Sequence, residues 1–316
     1  MNAVHVPVML EETLALLEPE QKDSLLIDCT MGEGGHSYGF LSRYPDLKVV
    51  GLDRDSGIQK RAKERLEEFS SRTAFYHTWF DDFFSCYPSE LKRPDLILFD
   101  LGISVYHYEL SGRGFTFRDK EPLDMRLDTS CGESAMDIVN GYSKEDLADL
   151  IYSFGEERYS RRIAEKIVEE RSKFPIKFSN QLAEIIYNSV PGEYRHGRIH
   201  PATRTFQALR IKVNSELDRL RRALENAYRV LSPGGKMGVI TFHSLEDRIV
   251  KNFFKDKCRV CICPENQVRC ICGGRPGGVL LNKKVIEAGA QEVKDNPPSR
   301  SAKLRGIRKI YDREAV

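Results

Sequence analysis

The chain has 316 residues, of which 41% are hydrophobic and 30% are charged, a composition typical of a globular protein with a sizeable core. At about 150 residues per domain, this length predicts two domains or one domain with a large insertion. The formal net charge of +2 does not by itself indicate a nucleic-acid partner. No apolar run approaches the roughly 20 residues of a membrane span, and residues 1–12 do not resemble a secretory signal. We therefore expect a cytoplasmic protein that does not associate with membranes.

The first hundred residues alternate between predicted strands and helices. Leu25–Asp28, Val49–Asp53, Ala74–Tyr76 and Asp95–Asp100 are short apolar runs, and Ile58–Phe69 has helical spacing between the second and third of them. Near-continuous apolar runs separated by helices are typical of a parallel sheet that is covered on both faces. The pattern therefore predicts an α/β domain with a doubly wound sheet.

A helical region follows the fourth predicted strand. Ser143–Tyr194 has helical character, and Pro201–Leu231 carries apolar residues at steps of three or four, which predicts one long helix. Met237–Phe242 then returns to strand character. We expect a helical insertion near the carboxyl ends of the strands, where open α/β sheets bind ligands. The predicted boundaries are 1–108 with 212–316 for the sheet domain and 109–211 for the inserted domain.

The turn after the first strand, Asp28–His36, is rich in glycine. Glycines let a backbone approach a ligand closely, and the amides at the start of the next helix are available to it. Dinucleotide-binding enzymes hold a pyrophosphate at such a turn, but here Ser37 replaces the third glycine of their fingerprint and Asp28 ends the strand. An acid there suits a cationic ligand, so the turn favours S-adenosylmethionine over a nicotinamide cofactor. A plain strand-to-helix connection is the alternative.

Two further residues extend the predicted cofactor site. Asp53 ends the second strand at a position from which an acid reaches ribose hydroxyls, although it could instead cap the next helix. Phe80 follows the third strand, where its ring could pack on an adenine or belong to the core. Neither residue distinguishes S-adenosylmethionine from other nucleoside cofactors.

Longer motifs follow along the rest of the chain. They are Asp100–Ser104, Gly114–Phe117 with Pro122–Arg126, His200–Arg210 and Phe242–Arg248, with His5–Val8 before them and Arg300–Arg305 after them. In this order they resemble the MraW family of bacterial 16S ribosomal RNA cytosine-N4 methyltransferases. The resemblance implies a class I methyltransferase domain, Rossmann-like with a mostly parallel sheet, and an inserted helical domain that recognises the substrate. It also implies methylation of a cytidine in the decoding region of 16S rRNA within the small ribosomal subunit.

The resemblance also implies which residues form the site. His107 stands where relatives have a glutamine, and Asp100 either bonds the target amine near the reacting centre or contacts the cofactor only. The implied cofactor contacts are Gly34, Gly35, His36, Asp53, Phe80, Asp100 and His107. The implied substrate contacts are Asp124, Arg126, Arg204, Arg210, His243, Arg300 and Arg305. The alternative roles are an ion pair between Asp124 and Arg126 and a helix cap for His243.

Basic residues cluster in residues 195–222 and 300–309. Arginines suit phosphate contacts, and binding through them weakens with salt. Arg204 and Arg210 lie within a motif and are expected to contact RNA. Arg219, Arg221 and Arg222 are expected to form a solvated helix face.

Five cysteines cluster near the carboxyl terminus, namely Cys258, Cys261, Cys263, Cys270 and Cys272. They could bind a structural zinc ion, but the C-x-C spacing is tighter than the usual C-x₂-C, so we expect reduced thiols and no metal. Two other functions remain open at this stage: a nicotinamide-dependent oxidoreductase and a non-catalytic ribosome-assembly factor. A monomer and a homodimer are both compatible with the sequence.

Overall fold

The structure is a computed structural model that describes residues 6–261, 263, 268, 269 and 274–312. Within these residues, one sheet of eight strands is present. The first five strands fall where the sequence predicted them. The strands are β1 (Leu25–Asp28), β2 (Lys48–Asp53), β3 (Thr73–His77), β4 (Leu96–Asp100), β5 (Lys236–Thr241), β6 (Gly278–Leu280), β7 (Ile286–Glu287) and β8 (Lys303–Lys309).

The strand order is β3-β2-β1-β4-β5-β8-β6, and β7 also pairs with β8. Strands β1 to β5 are parallel, whereas β8 is antiparallel to its neighbours β5, β6 and β7. The order reverses at β1, because β2 lies on one side of it and β4 on the other. Open α/β sheets bind ligands outside the carboxyl ends of the strands at such a switch point. Asp28 and Asp100, the last residues of β1 and β4, lie there.

Some of the helices cover the two faces of this sheet, and the others belong to a separate helical unit that is described below. Their bounds are α1 (Leu10–Leu16), α2 (Gly35–Arg43), α3 (Ser56–Arg65), α4 (Phe80–Ser85), α5 (Val105–Glu109), α6 (Ala135–Gly141), α7 (Lys144–Gly155), α8 (Ser160–Lys173), α9 (Ser179–Ser189), α10 (Gly192–Arg195), α11 (Ala202–Asn214), α12 (Glu216–Val230), α13 (Ser244–Lys257) and α14 (Ala290–Asp295). Leu26 of β1 shares a core with residues of α1, α2 and α3. The next residue, Ile27, shares a core with residues of α4, α12 and α13. Since successive strand residues point to opposite faces, the sheet is doubly wound.

The chain divides into two compact units. The first comprises Met1–Gly102 and Asp218–Val316, and it contains the sheet. The second, Ile103–Leu217, is helical, and α7 packs against α8 and α11 around a core that includes Ile151, Ile167 and Phe206. The second unit therefore interrupts the first between β4 and β5.

The prediction of one helix from Pro201 to Leu231 was wrong, because this region forms α11 and α12 with a break at Ser215. Ser215 adopts the left-handed conformation, with φ of 52°. Such a conformation costs a residue with a Cβ roughly 1–2 kcal/mol. The buried side chain of Asn214 supports the break, since its Oδ1 accepts a hydrogen bond from the Leu127 amide at 2.9 Å and its Nδ2 donates to the Met125 carbonyl at 2.8 Å.

Candidate active site

The glycine-rich turn connects β1 to α2. Gly34 precedes α2 with φ of 77°, a conformation that residues with a Cβ rarely adopt. A Cβ on Gly35 would lie 2.9 Å from the Pro7 ring, so glycine lets the N-terminal segment pack directly on the turn. The first amides of a helix have no partners within the helix. The turn therefore places backbone donors beside the switch point of the sheet.

Asp28 and Ser37, the two departures from the dinucleotide fingerprint, form one interaction. The Ser37 hydroxyl donates to Asp28 Oδ2 at 2.6 Å, and the Thr30 amide lies 3.4 Å from Oδ1. Asp28 is 1% exposed, and this burial raises the pKa of its carboxyl to about 6 against the effect of those hydrogen bonds. The Asp28 side chain thus fixes the turn and is not presented at the surface.

Asp53 also holds the turn. Its Oδ2 accepts a hydrogen bond from the Gly32 amide at 3.0 Å, and its Oδ1 accepts one from the Asp55 amide at 2.8 Å. The cap of α3 is Asp55, which accepts from the Gly57 amide at 2.8 Å. The alternative role of Asp53 as the helix cap was therefore wrong. Asp53 remains half-buried at the end of β2, next to the glycine-rich turn.

Phe80 is the first residue of α4 and is half-buried. Its ring packs edge to face on Phe99 of β4, with 5.7 Å between the ring centroids. The ring therefore lies against the strand that ends in Asp100. This position is compatible both with a core role and with an apolar wall for an adenine.

Asp100 ends β4 and is tied to the glycine-rich turn. Its amide donates to the Thr30 hydroxyl at 2.7 Å, and its Oδ2 lies 3.4 Å from Nδ1 of His36. The side chain is 24% exposed, but Oδ1 is inaccessible to solvent and has no hydrogen-bond partner among the described residues. Burial, together with the carboxylates of Asp28 and Glu246, raises the pKa of the Asp100 carboxyl well above its usual range. Oδ1 of Asp100 is therefore a buried hydrogen-bond acceptor with the carboxyl groups of Asp28 and Glu246 nearby.

His107 belongs to the second unit, where it is part of α5. It is 4% exposed and packs edge to face on Tyr106 and Phe115, with centroids 5.4 and 5.5 Å away. The cofactor contact of this residue stays a prediction. The other six predicted cofactor residues lie in the first unit, around the ends of β1, β2 and β4.

The predicted substrate residues of the second unit are held by local contacts. Arg126 binds both carboxylate oxygens of Asp124 at 2.8 Å, so the ion pair considered from the sequence is present. Burial opposes ionisation of Asp124, but the Arg126 hydrogen bonds outweigh it and lower the pKa of Asp124. Arg210 binds both oxygens of Glu216 at 2.8 and 2.9 Å, and Arg204 donates to the carbonyl of Glu156 at 3.1 Å.

The predicted substrate residues of the first unit have different environments. His243 caps α13 through a capping box with Glu246, as the alternative from the sequence proposed. Arg305 binds both carboxylate oxygens of Asp247 at 2.7 and 3.1 Å and is 18% exposed. Arg300, by contrast, is exposed. RNA contacts of all these residues stay predictions.

The structure corrects one part of the basic cluster. Arg221 and Arg222 are exposed as predicted, at 56% and 54%, but Arg219 is only 21% exposed, and Arg219 and Arg222 both bind the carboxylate of Asp81, at 2.8 and 2.5 Å. Asp81 is 1% exposed, and the Arg219 guanidinium also lies 4.2 Å from the centre of the Trp79 ring. Helix α12 is thereby fixed to the start of α4, which carries Phe80. Nothing in the sequence indicated this contact, since its partners are more than 130 positions apart.

Two other expectations concern the cysteines and membranes. Cys258 is half-buried after α13, and burial raises the pKa of its thiol. Cys270 and Cys272 lie outside the described residues, so the choice between zinc and reduced thiols stays open. In the described part of the chain, no helix is both long enough and apolar enough to cross a bilayer.

Comparisons with known proteins agree on one family. The chain is 56% identical over 315 residues to ribosomal RNA small subunit methyltransferase H of Treponema denticola, covering 100% of both chains. It is 46% identical to the protein of that name from Syntrophotalea carbinolica, covering 97% of this chain and 98% of the relative, and 47% identical to that of Borrelia recurrentis, covering 98% of each. A family model, described as the MraW methylase family, matches residues 2–310. The chain therefore belongs to the MraW methylase family.

Proposed function

We propose that this methyltransferase uses S-adenosylmethionine to methylate N4 of a cytidine in the decoding region of 16S rRNA, within the small ribosomal subunit. The main structural support is Asp100, whose Oδ1 is a buried acceptor at the switch point of the sheet. The names of the relatives support the small-subunit RNA as the substrate. The cytoplasm, where ribosomal subunits are assembled in bacteria, is the proposed location.

The residues at the carboxyl edge of the sheet fit this cofactor, which supplies a methyl group activated on a cationic sulfonium. Asp100, with Asp28 and Glu246 nearby, provides a negative environment that suits that charge. Asp53 ends β2, from which an acid reaches ribose hydroxyls, and Phe80 offers a half-buried aromatic ring. We assign cofactor binding to Gly34, Gly35, His36, Asp53, Phe80, Asp100 and His107.

Asp100 has three tasks in the proposed mechanism. A cytosine amine is a poor nucleophile, because its lone pair is conjugated with the ring. Accepting a hydrogen bond from that amine on Oδ1 orients the lone pair, and orientation contributes much of the acceleration in such reactions. As the new N–C bond forms, the nitrogen becomes more positive and the fixed carboxylate stabilises that charge. The raised pKa of Asp100 also makes its carboxylate a stronger base for the departing proton.

The remaining residues bind RNA in this proposal. The target base must leave its stack to reach the methyl donor, at a cost of a few kcal/mol, and arginine contacts to phosphates can offset that cost. Arg210 and Arg305 already bind carboxylates, so a phosphate must compete with an internal partner there. We assign substrate binding to Asp124, Arg126, Arg204, Arg210, His243, Arg300 and Arg305.

The test is to incubate the protein with labelled S-adenosylmethionine and small ribosomal subunits from cells that lack this methyltransferase. Label on one cytidine N4 of the decoding region supports the proposal, and label on another nucleotide or none refutes it. Cofactor binding without transfer would support an assembly factor instead. The Asp100→Asn variant, which keeps the size of the side chain, serves as the inactive control.

A further inference from the structure

His36 is assigned to the cofactor, yet its side chain is only 5% exposed. The imidazole contacts two protein groups through different nitrogens. Nε2 lies 3.0 Å from the Val8 carbonyl oxygen, and Nδ1 lies 3.4 Å from Oδ2 of Asp100. A buried ring in these contacts presents little surface to a ligand, so the side chain acts mainly on protein groups, among them Val8 and Asp100.

The contact with Val8 fixes where the ring carries a hydrogen. A carbonyl oxygen accepts hydrogen bonds and cannot donate them, so Nε2 of His36 is the donor to Val8. An attractive contact between Nδ1 and Oδ2 of Asp100 then requires one additional proton between these two atoms. The pair consists either of an imidazolium and a carboxylate or of a neutral imidazole and a protonated carboxyl.

The charged groups around Asp100 influence whether the shared proton lies on Nδ1 of His36 or on Oδ2 of Asp100. The carboxyls of Asp28 on β1 and Glu246 on α13 are near enough to raise the pKa of Asp100, and Nε2 of His243 lies 3.1 Å from Oε1 of Glu246. Burial and these acids raise the pKa of Asp100. A cation on the ring of His36 opposes that effect, because an opposite charge within about 4–6 Å favours the ionised carboxylate.

We propose that His36 is a positioning residue that keeps Asp100 ionised by directing an Nδ1 hydrogen at Oδ2, which leaves Oδ1 to receive the proton of the target amine. In this step the N–C bond forms, the C–S bond breaks with its electron pair going to sulfur, and the amine proton moves to Oδ1 and later to water. The inference depends on the proposed function for the identity of the amine. The link between His36 and Asp100 itself depends only on the geometry of the free protein.

The alternative is that His36 only anchors Val8 over the glycine-rich turn. The two contacts can be removed separately, because an asparagine amide lies near the Nδ1 position and a glutamine amide lies near the Nε2 position of a histidine. His36→Asn keeps a donor for Asp100 and loses the bond to Val8. His36→Gln keeps the bond to Val8 and loses the donor for Asp100.

The first measurement is the single-turnover rate of methyl transfer against pH for the wild type and both variants. Transfer requires ionised Asp100, so the rate rises with pH through the pKa of that carboxyl. Without the Nδ1 donor this pKa rises, and the acid limb of His36→Gln should move up by about one pH unit. The acid limb of His36→Asn should move less, because its amide keeps the hydrogen bond to Oδ2 and loses only the charge. An unshifted acid limb in His36→Gln would refute the inference and leave only the anchoring role.

The second measurement follows the ¹⁵N signals of histidine side chains in the free protein, so it does not depend on the RNA substrate. The chain has seven histidines, and the signal of His36 is the one missing from the His36 variants. Asp100→Asn should lower the pKa of His36 by about one unit, because it removes the anion beside Nδ1. If His36 titrates at the same pH in Asp100→Asn as in the wild type, the proposed link between His36 and Asp100 is refuted. If the wild type methylates no ribosomal RNA, the proposed function fails, while this titration still tests the pair.

Discussion

Replacing Asp81 with alanine should destabilise the first unit by about 3 kcal/mol. Asp81 is 1% exposed, and its two oxygens bind Arg219 and Arg222 at 2.8 and 2.5 Å. Removing one partner of a buried ion pair costs roughly 3–5 kcal/mol, because the opposite charge loses its partner. The lower end applies here, since Arg222 is 54% exposed and water can solvate its guanidinium.

Trp79 provides the signal for this experiment, because it is the only tryptophan of the chain and lies under the Arg219 guanidinium. Urea unfolding followed by its fluorescence gives the free energy of unfolding of the first unit. The matched control is Asp82→Ala. Asp82 is 64% exposed and 3.7 Å from Arg219, so its loss should change stability by less than about 0.5 kcal/mol. If Asp81→Ala lowers the free energy of unfolding by less than about 1 kcal/mol, the contacts of Asp81 with Arg219 and Arg222 behave as surface ion pairs and the reasoning is refuted.

Three further predictions concern the two units. Asp100→Asn should lower methyl transfer at least about 100-fold with an unchanged circular dichroism spectrum, and near-normal turnover would remove Asp100 from the mechanism. Gly114→Ala should destabilise the second unit by about 2 kcal/mol or more in thermal unfolding, because φ is 75° and the new Cβ would lie 2.3 Å from the Pro122 carbonyl oxygen. The control Gly112→Ala should lower the stability less, because φ is 63° but no atom lies within 4 Å of the new Cβ. The logarithm of the RNA-binding constant should fall linearly with the logarithm of the salt concentration. Arg204→Ala should make that slope shallower by the amount expected for the loss of about one phosphate contact, and an unchanged slope would contradict a phosphate contact of Arg204.

Local patterns in the sequence were sufficient to predict the sheet and the glycine-rich turn. Apolar runs located β1 to β5, because buried parallel strands are apolar on both faces. The acids Asp53 and Asp100 could be placed at one edge, since parallel strands share their carboxyl ends. The motifs of the family then assigned functions that periodicity alone does not provide.

Features that depend on single torsion angles or distant partners were missed. The apolar spacing continues through Ser215, so the pattern could not reveal that its backbone turns left-handed. The carboxylate partner of Arg219, Asp81, lies on a different helix, and a run of arginines in sequence is typical of a solvated face. The contact of His36 with Val8 depends on how the N-terminal segment packs on the glycine-rich turn, which no local pattern specifies.

The position of β8 has a consequence for synthesis on the ribosome. Although β8 comes last in chain order among the described strands, it lies between β5 and β6 within the sheet. The second unit is one continuous segment, Ile103–Leu217, and can fold as soon as it leaves the exit tunnel, because domains fold as units during translation. The sheet must wait for Lys303–Lys309, and until then the edge of β5 is unpaired and open to intermolecular pairing. The nascent chain therefore carries a folded helical unit on an unfinished sheet until residues 303–309 have been synthesised and have paired with β5.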